Sequence, residues 1–222
     1  MSQRKYSFVP GEFYHIYNRG TDKRPIFKDV SDYRRFQTLL HLANTSKSIS
    51  LKDIFRSNKN PYVVENENRT VAIGAYCLMP NHFHILITPL SDNGMSTFMQ
   101  KLSTAYSMYF NKKYQRSGSL FEGKFKSQLI EDDRYLKYLF SYIHLNPVKL
   151  IQKDWKEIGL KDRETAEAFL TSYEHSSYQE ACGRTRDQSV IIDSKLFPAY
   201  FESLDASERE VQDWLTFSLG KT

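Results

Sequence analysis

Cysteine is nearly absent from this 222-residue chain, Cys77 and Cys182 being its only two. One pair cannot staple a small secreted scaffold, and a zinc ribbon built on four cysteines is excluded outright. Long apolar runs are missing as well. No stretch approaches the roughly 20 apolar residues that span a bilayer, so no membrane protein is expected. The opening segment, MSQRKYSFVPGEF, lacks the apolar core of a secretory signal, and a cytoplasmic location is the expectation. No repeat of the solenoid kind is visible. What is present, 40% hydrophobic and 14% aromatic residues, suits a globular protein with a sizeable core.

Net charge is +5, and its placement is informative. Residues 101–126 hold Lys101, Lys112, Lys113, Arg116, Lys124 and Lys126 against Glu122 alone, so this one segment carries the whole excess. Tyr106, Tyr109, Phe110, Tyr114, Phe121 and Phe125 are interleaved with these charges. Concentrated positive charge among aromatics is the footprint of a nucleic-acid surface, with exposed rings able to stack unpaired bases. A solvated helix face is the plainer alternative.

Periodicity orders the elements. Residues 12–18 alternate as a strand. Residues 30–43 place Phe36, Leu39, Leu40 and Ala43 at helical spacing, with Ser31 as a plausible N-cap. Residues 44–68 are polar and read as a loop or insertion with a short helical turn near 51–55. An apolar strand at 70–79 is broken by Pro80-Asn81 and returns as a strand at 82–88, most simply as a hairpin. A helix over 95–113, a strand over 124–131 and a helix over 133–145 follow, the last closed by Asn146-Pro147. The first six elements match an α+β fold of the ferredoxin-like split βαβ kind, an antiparallel sheet with helices on one face. Residues 151–222 read as a mostly helical C-terminal extension, with helices expected at 165–170, 172–181 and 207–219.

Chemistry concentrates in two places. In the strand Pro80–Ile87, His82 and His84 share one face while Phe83, Ile85 and Ile87 take the other. Two imidazoles at that spacing can hold a divalent cation, or can be a hydrogen-bonded strand pair. Some 60 residues on, Tyr138, Tyr142 and Asn146 recur at i, i+4 and i+8 along one helix face. Tyr135 and Tyr138 are expected to pack their rings and wet their hydroxyls.

Four stretches in order then carry a resemblance: FYHIYNRG at 13–20, MPNHFHIL at 79–86, GSLFEGKFK at 118–126 and YIHLNPV at 142–148. With them the chain resembles the HUH-type single-domain tyrosine transposases, in particular the REP-associated group. Ser176-Ser177-Tyr178 resembles a further signature, with His175 where a tryptophan is usual; residues 44–68 and the tail beyond about 180 have no counterpart. The resemblance implies an HUH transposase-like catalytic domain over 1–150, with 151–222 as the extension. It implies that His82, His84 and Asn146 ligate Mg2+ or Mn2+, and that Tyr142 is the nucleophile forming a 5′-phosphotyrosine with single-stranded or hairpin DNA. Arg19, Lys112, Lys113, Arg116, Lys124 and Lys126 would grip the DNA backbone. Relatives include monomers and homodimers that exchange the tyrosine helix. Two other readings stand beside this one: a hairpin-DNA-binding regulator of the same fold without chemistry, and an unrelated metal hydrolase built on His82 and His84.

Overall fold

The computed structural model describes residues 7–47, 50–56, 60–66 and 68–198, together with residue 206. Its elements up to the tyrosine helix are β1 (Tyr14–Arg19), α1 (Val30–Leu42), α2 (Leu51–Arg56), β2 (Val71–Met79), β3 (His82–Pro89), α3 (Gly94–Lys113), β4 (Lys126–Leu129) and α4 (Asp133–Leu145). The sheet order is β2-β3-β1-β4, with every pair antiparallel. This is the ferredoxin-like order expected of two interleaved βαβ units. The expected 207–219 helix lies outside the described residues.

Alternation along the strands makes two faces, each with its own core. Ile16, Tyr76, Leu78, Phe83, Ile85 and Ile87 pack beneath α1 and α3, against Phe36, Leu39, Phe98, Leu102 and Tyr106. Ala72, Ala75, Cys77, Met79 and Leu86 occupy the opposite face, beneath Leu139 and Ile143 of α4. The helix pair of the βαβ units thus covers one face as expected, and α4 takes the other. Along β2 the two sets change step at Gly74, where the ladder skips a residue between Ile73 and Ala75. The inserted residue lets Ile73 and Tyr76, three apart, share a face.

A Cβ at Gly74 would lie 2.4 Å from the Phe197 ring, so this bulge is also a close approach. Gly74→Ala is expected to lower stability by about 1–3 kcal/mol, the usual range for overpacking. Urea unfolding of the variant checks this, and a midpoint equal to that of wild type would show that Phe197 yields freely.

The extension packs onto the second face. It continues as α5 (Trp155–Ile158), α6 (Arg163–Ser172) and α7 (Tyr178–Ala181). Trp155, Leu170, Tyr178 and Phe197 join the α4 core. The helix expected over 172–181 is shortened to α7, because the residues before it meet a sheet edge. The Leu78 amide donates to the His175 carbonyl (2.9 Å) and the Ser177 amide to the Tyr76 carbonyl (3.0 Å). An edge strand carries a row of unpaired backbone groups, and here a distant segment supplies partners that local periodicity cannot reveal. The α1 cap differs from expectation as well. Asp29, not Ser31, is the N-cap: its carboxylate accepts from the amides of Ser31 and Asp32 in a capping box.

The basic segment is put to unexpected use. Tyr106, Phe110 and Phe121 are buried in the first core and are not exposed stacking rings. Lys113 folds back onto Asp29 and Asp32, both at 2.7 Å. Asp32 is wholly buried and also accepts from the Tyr114 hydroxyl (2.7 Å), the Tyr109 hydroxyl (3.0 Å) and the Lys28 amide (2.8 Å). Burial by itself would raise this carboxyl, but Lys113 and the other donors outweigh it and hold the pKa below the ordinary 3.8. A lowered folded-state pKa stabilises above the unfolded value and is lost as pH falls through the folded one. Thermal melts from pH 6 to pH 2 should therefore show wild type losing stability more steeply below about pH 4 than Asp32→Asn. Asp32 contributes at most about 1.4 kcal/mol per pH unit to that slope. Parallel curves would contradict this role.

Candidate active site

The site lies on the second face of the sheet, where β1, β3 and α4 meet. In the ladder Tyr17 faces His84 and Arg19 faces His82. The rings of His82 and His84 stand 5.0 Å apart, nearly perpendicular. The ring of Tyr142, reaching down from α4, lies 5.5 Å from that of His84. Tyr138 stacks on Tyr142 at 5.7 Å and Tyr135 on Tyr138 at 5.9 Å, so the three tyrosines form one row along the helix. All of these contacts are made within a single chain. A second copy exchanging α4 is not needed to bring the phenol to the imidazoles.

The orientation of each imidazole is set by a partner. The Asn81 amide nitrogen donates to the Lys23 carbonyl (3.1 Å), which turns its Oδ1 toward His82 Nδ1 (2.6 Å). That oxygen can only accept, so Nδ1 carries the proton and Nε2 keeps its lone pair. His84 Nδ1 bonds His15 Nε2 at 2.8 Å, again leaving Nε2 outside the bond. Metal-binding histidines are commonly fixed this way through the second ring nitrogen. Burial drives the pKa of His82 and of His15 down to about 4, with Lys149 and Arg19 also disfavouring charge on His82. Burial also holds His84 well below the ordinary 6.5, helped by His15, His82, Lys149 and Lys156. At neutral pH the rings are uncharged, the form that coordinates a cation.

Asn146 is fully buried at the C-terminal end of α4. It keeps helical dihedrals (φ −55°, ψ −38°) in front of Pro147, and the chain tightens into the 3-10 turn Asn146–Leu150. Its carboxamide favours the protonated form of His82 and the ionised form of Tyr142. Neither polar atom of that carboxamide nevertheless finds a hydrogen-bond partner of ordinary geometry among the described residues. A buried polar group without a partner is costly, and a cation ligand is a role that such a carboxamide fits. Among the described residues no three histidine, cysteine or carboxylate side chains cluster as a metal site. A cation here would therefore rest on two imidazoles and a carboxamide oxygen, a donor set that suits a borderline-to-hard divalent ion.

Tyr142 is half-buried, and burial raises its phenol above the ordinary 10, with Asn146 pulling the other way. His144 is engaged on another side, its Nε2 bonding Ser177 Oγ at 2.8 Å. Sequence reasoning missed two lysines of this site, one of them at the phenol itself. Lys156 Nζ lies 3.8 Å from the centroid of the Tyr142 ring. Lys149, in the 3-10 turn, presses electrostatically on Lys156 and on both imidazoles. No motif spacing marks either one, since the turn after Asn146 is what carries them back.

The six residues expected to grip DNA divide. Arg19 sits opposite His82 and pairs with Glu122 on the surface. Lys126, on β4, lies opposite Tyr17, and Lys124 is exposed just before it. Lys112 is exposed near the end of α3, and Arg116 lies 5.6 Å from the Phe110 ring centroid. Lys113 is engaged with the two aspartates. The structure thus gathers Arg19, Lys124 and Lys126 around β1 and β4 and leaves the others with α3 and the turn after it.

Residues 12–146 match the family described as IS200-like transposases. The chain belongs to that family. The match ends on Asn146 and contains His82, His84 and Tyr142. A Haemophilus influenzae protein described as a REP-associated tyrosine transposase is 30% identical over 149 residues, 57% of this chain and 83% of the relative. A solved structure of a REP-associated tyrosine transposase bound to a REP hairpin aligns over 91% of this chain and 92% of that one. Its TM-score is 0.51 at 14% identity, which shows that this IS200-like transposase shares its fold.

Proposed function

We propose that this transposase cleaves and rejoins single-stranded DNA beside hairpins, with Tyr142 as its nucleophile. The observation that carries the reading is the meeting of Tyr142, His84 and His82 in one chain above an unpartnered Asn146 carboxamide. The relative and the solved neighbour, both described as REP-associated and one of them bound to a REP hairpin, support the substrate class.

His82, His84 and Asn146 would hold Mg2+ or Mn2+, which when bound supplies Lewis-acid polarisation of the scissile phosphate and orients it. The phenol oxygen of Tyr142 forms a bond to phosphorus while the bond from phosphorus to the 3′ oxygen breaks. The phenolic proton passes to solvent and the departing 3′ oxygen takes one up, so no net proton is lost. The products are a 5′-phosphotyrosine and a free 3′-hydroxyl, and attack by that or another 3′-hydroxyl reverses the step and joins DNA. One hard displacement becomes two easier ones. Asn81 and His15 keep the imidazoles oriented, and Arg19, Lys124 and Lys126 offer charge to the strand.

The test is an SDS-stable adduct between the protein and labelled hairpin oligonucleotides carrying single-stranded flanks, with Mn2+ or with EDTA. Adduct with metal and none with EDTA is expected. Binding across such a panel with no adduct would favour the regulator reading.

A further inference from the structure

The pocket around Tyr142 is more positive than its motif residues require. Lys149 presses electrostatically on both imidazoles and Lys156 on His84, while burial first and Lys149 second disfavour charge on Lys156. Two ammonium groups brought together repel each other, while Glu157, next to Lys156 and exposed, favours its charge. The arrangement is held in place from below. Trp155 is wholly buried in the α4 core and fixes the first turn of α5, which sets the neighbouring Lys156 over the phenol ring. Lys149 is fixed by the turn that starts at Asn146. Both lysines remain half-buried and so within reach of a ligand.

Converging cations beside a nucleophile suit an anion that arrives from outside, and the anion available to this site is a phosphodiester. We propose that Lys149 and Lys156, from the segment beyond residue 146, form the phosphate-binding half of the site and hold the non-bridging oxygens of the DNA phosphate at Tyr142. The proposal rests on the strand-transfer reading for its substrate, but it extends the site past the stretch that defines the family. It also gives the extension a chemical task.

The test uses the full chain in EDTA, where no cleavage competes, and a 20-residue oligothymidylate as probe. Fluorescence anisotropy gives the dissociation constant across a salt series. Each phosphate contact to a single strand contributes about 0.7 to the slope of log affinity against log salt. The double variant Lys149→Gln, Lys156→Gln should lose a slope of about 1.4, and about ten-fold or more in affinity near 0.1 M salt. Lys156→Arg should keep the wild-type slope, and Lys153→Gln, an exposed lysine of the same segment, should change it less than either site variant. Thermal melts confirm that each variant is folded; should the double variant fail to fold, Lys149→Gln and Lys156→Gln are read singly, each at about half the slope change. A folded variant with unchanged slope overturns the proposal, even if its adduct yield falls, for Lys156 would then be a positioning residue for the phenol. A reduced slope in a protein whose wild type forms no adduct keeps the phosphate site and removes strand transfer instead.

Discussion

Tyr142→Phe is expected to abolish covalent attachment to DNA, by at least about 10³-fold and in practice to background, because removal of the proposed nucleophile leaves only the binding contribution. Binding itself is expected to stay within two-fold. The ring is retained, and with it the contacts to His84 and Tyr138. Stability should hold or rise slightly, since burial already disfavours ionisation of this phenol. The three measurements are gel-shifted adduct, anisotropy and a thermal melt, made on one preparation. A Phe variant that still forms adduct at the wild-type level would remove Tyr142 from the chemistry, and the adjacent Tyr138 would be examined next.

The second large effect is on metal binding. His84→Ala should weaken Mn2+ affinity by more than the about 10–100-fold typical of losing a supporting partner, since here a ligand itself is lost. It should also lower stability by about 1–3 kcal/mol, because buried His15 loses its ring partner. His82→Ala is expected to weaken Mn2+ comparably with a smaller loss of stability, as His82 is only half-buried and its partner Asn81 keeps a second hydrogen bond. Titration calorimetry with Mn2+, beside thermal melts in EDTA, separates the two. If both variants bind Mn2+ as wild type does, the imidazoles are a structural pair and the cation lies elsewhere.

Much of this site is legible in the linear chain for a geometric reason. A strand puts His82 and His84 on one face by its two-residue period, and a helix puts Tyr142 and Asn146 one turn apart. The apolar pattern likewise places the four strands and the helices α1, α3 and α4. What escapes depends on contacts distant in sequence. Residues 175–177 carry no strand signal of their own, and backbone hydrogen bonds hold them against the edge of β2, about 100 residues earlier. The aromatics among the lysines of α3 have the look of a stacking surface, but their spacing also serves a core, and the core takes Tyr106 and Phe110. Lys113 reads as a free charge in the sequence, whereas Asp29 and Asp32, about 80 residues away, meet it in the fold. Lys156 reaches the phenol because Trp155 is buried, and neither residue belongs to a recognisable motif.

One bond, from Tyr142 to a DNA phosphate, underlies the whole of the proposed mechanism. Adduct formed with Mn2+ is digested with trypsin and with nuclease, and the peptide of residues 138–149, which lies between Lys137 and the cleavage after Lys149, is fragmented in a mass spectrometer. The predicted result is a nucleotide 5′-phosphate on Tyr142, with Tyr138 in the same peptide unmodified. A nucleotide on any other residue, with Tyr142 bare, would contradict it.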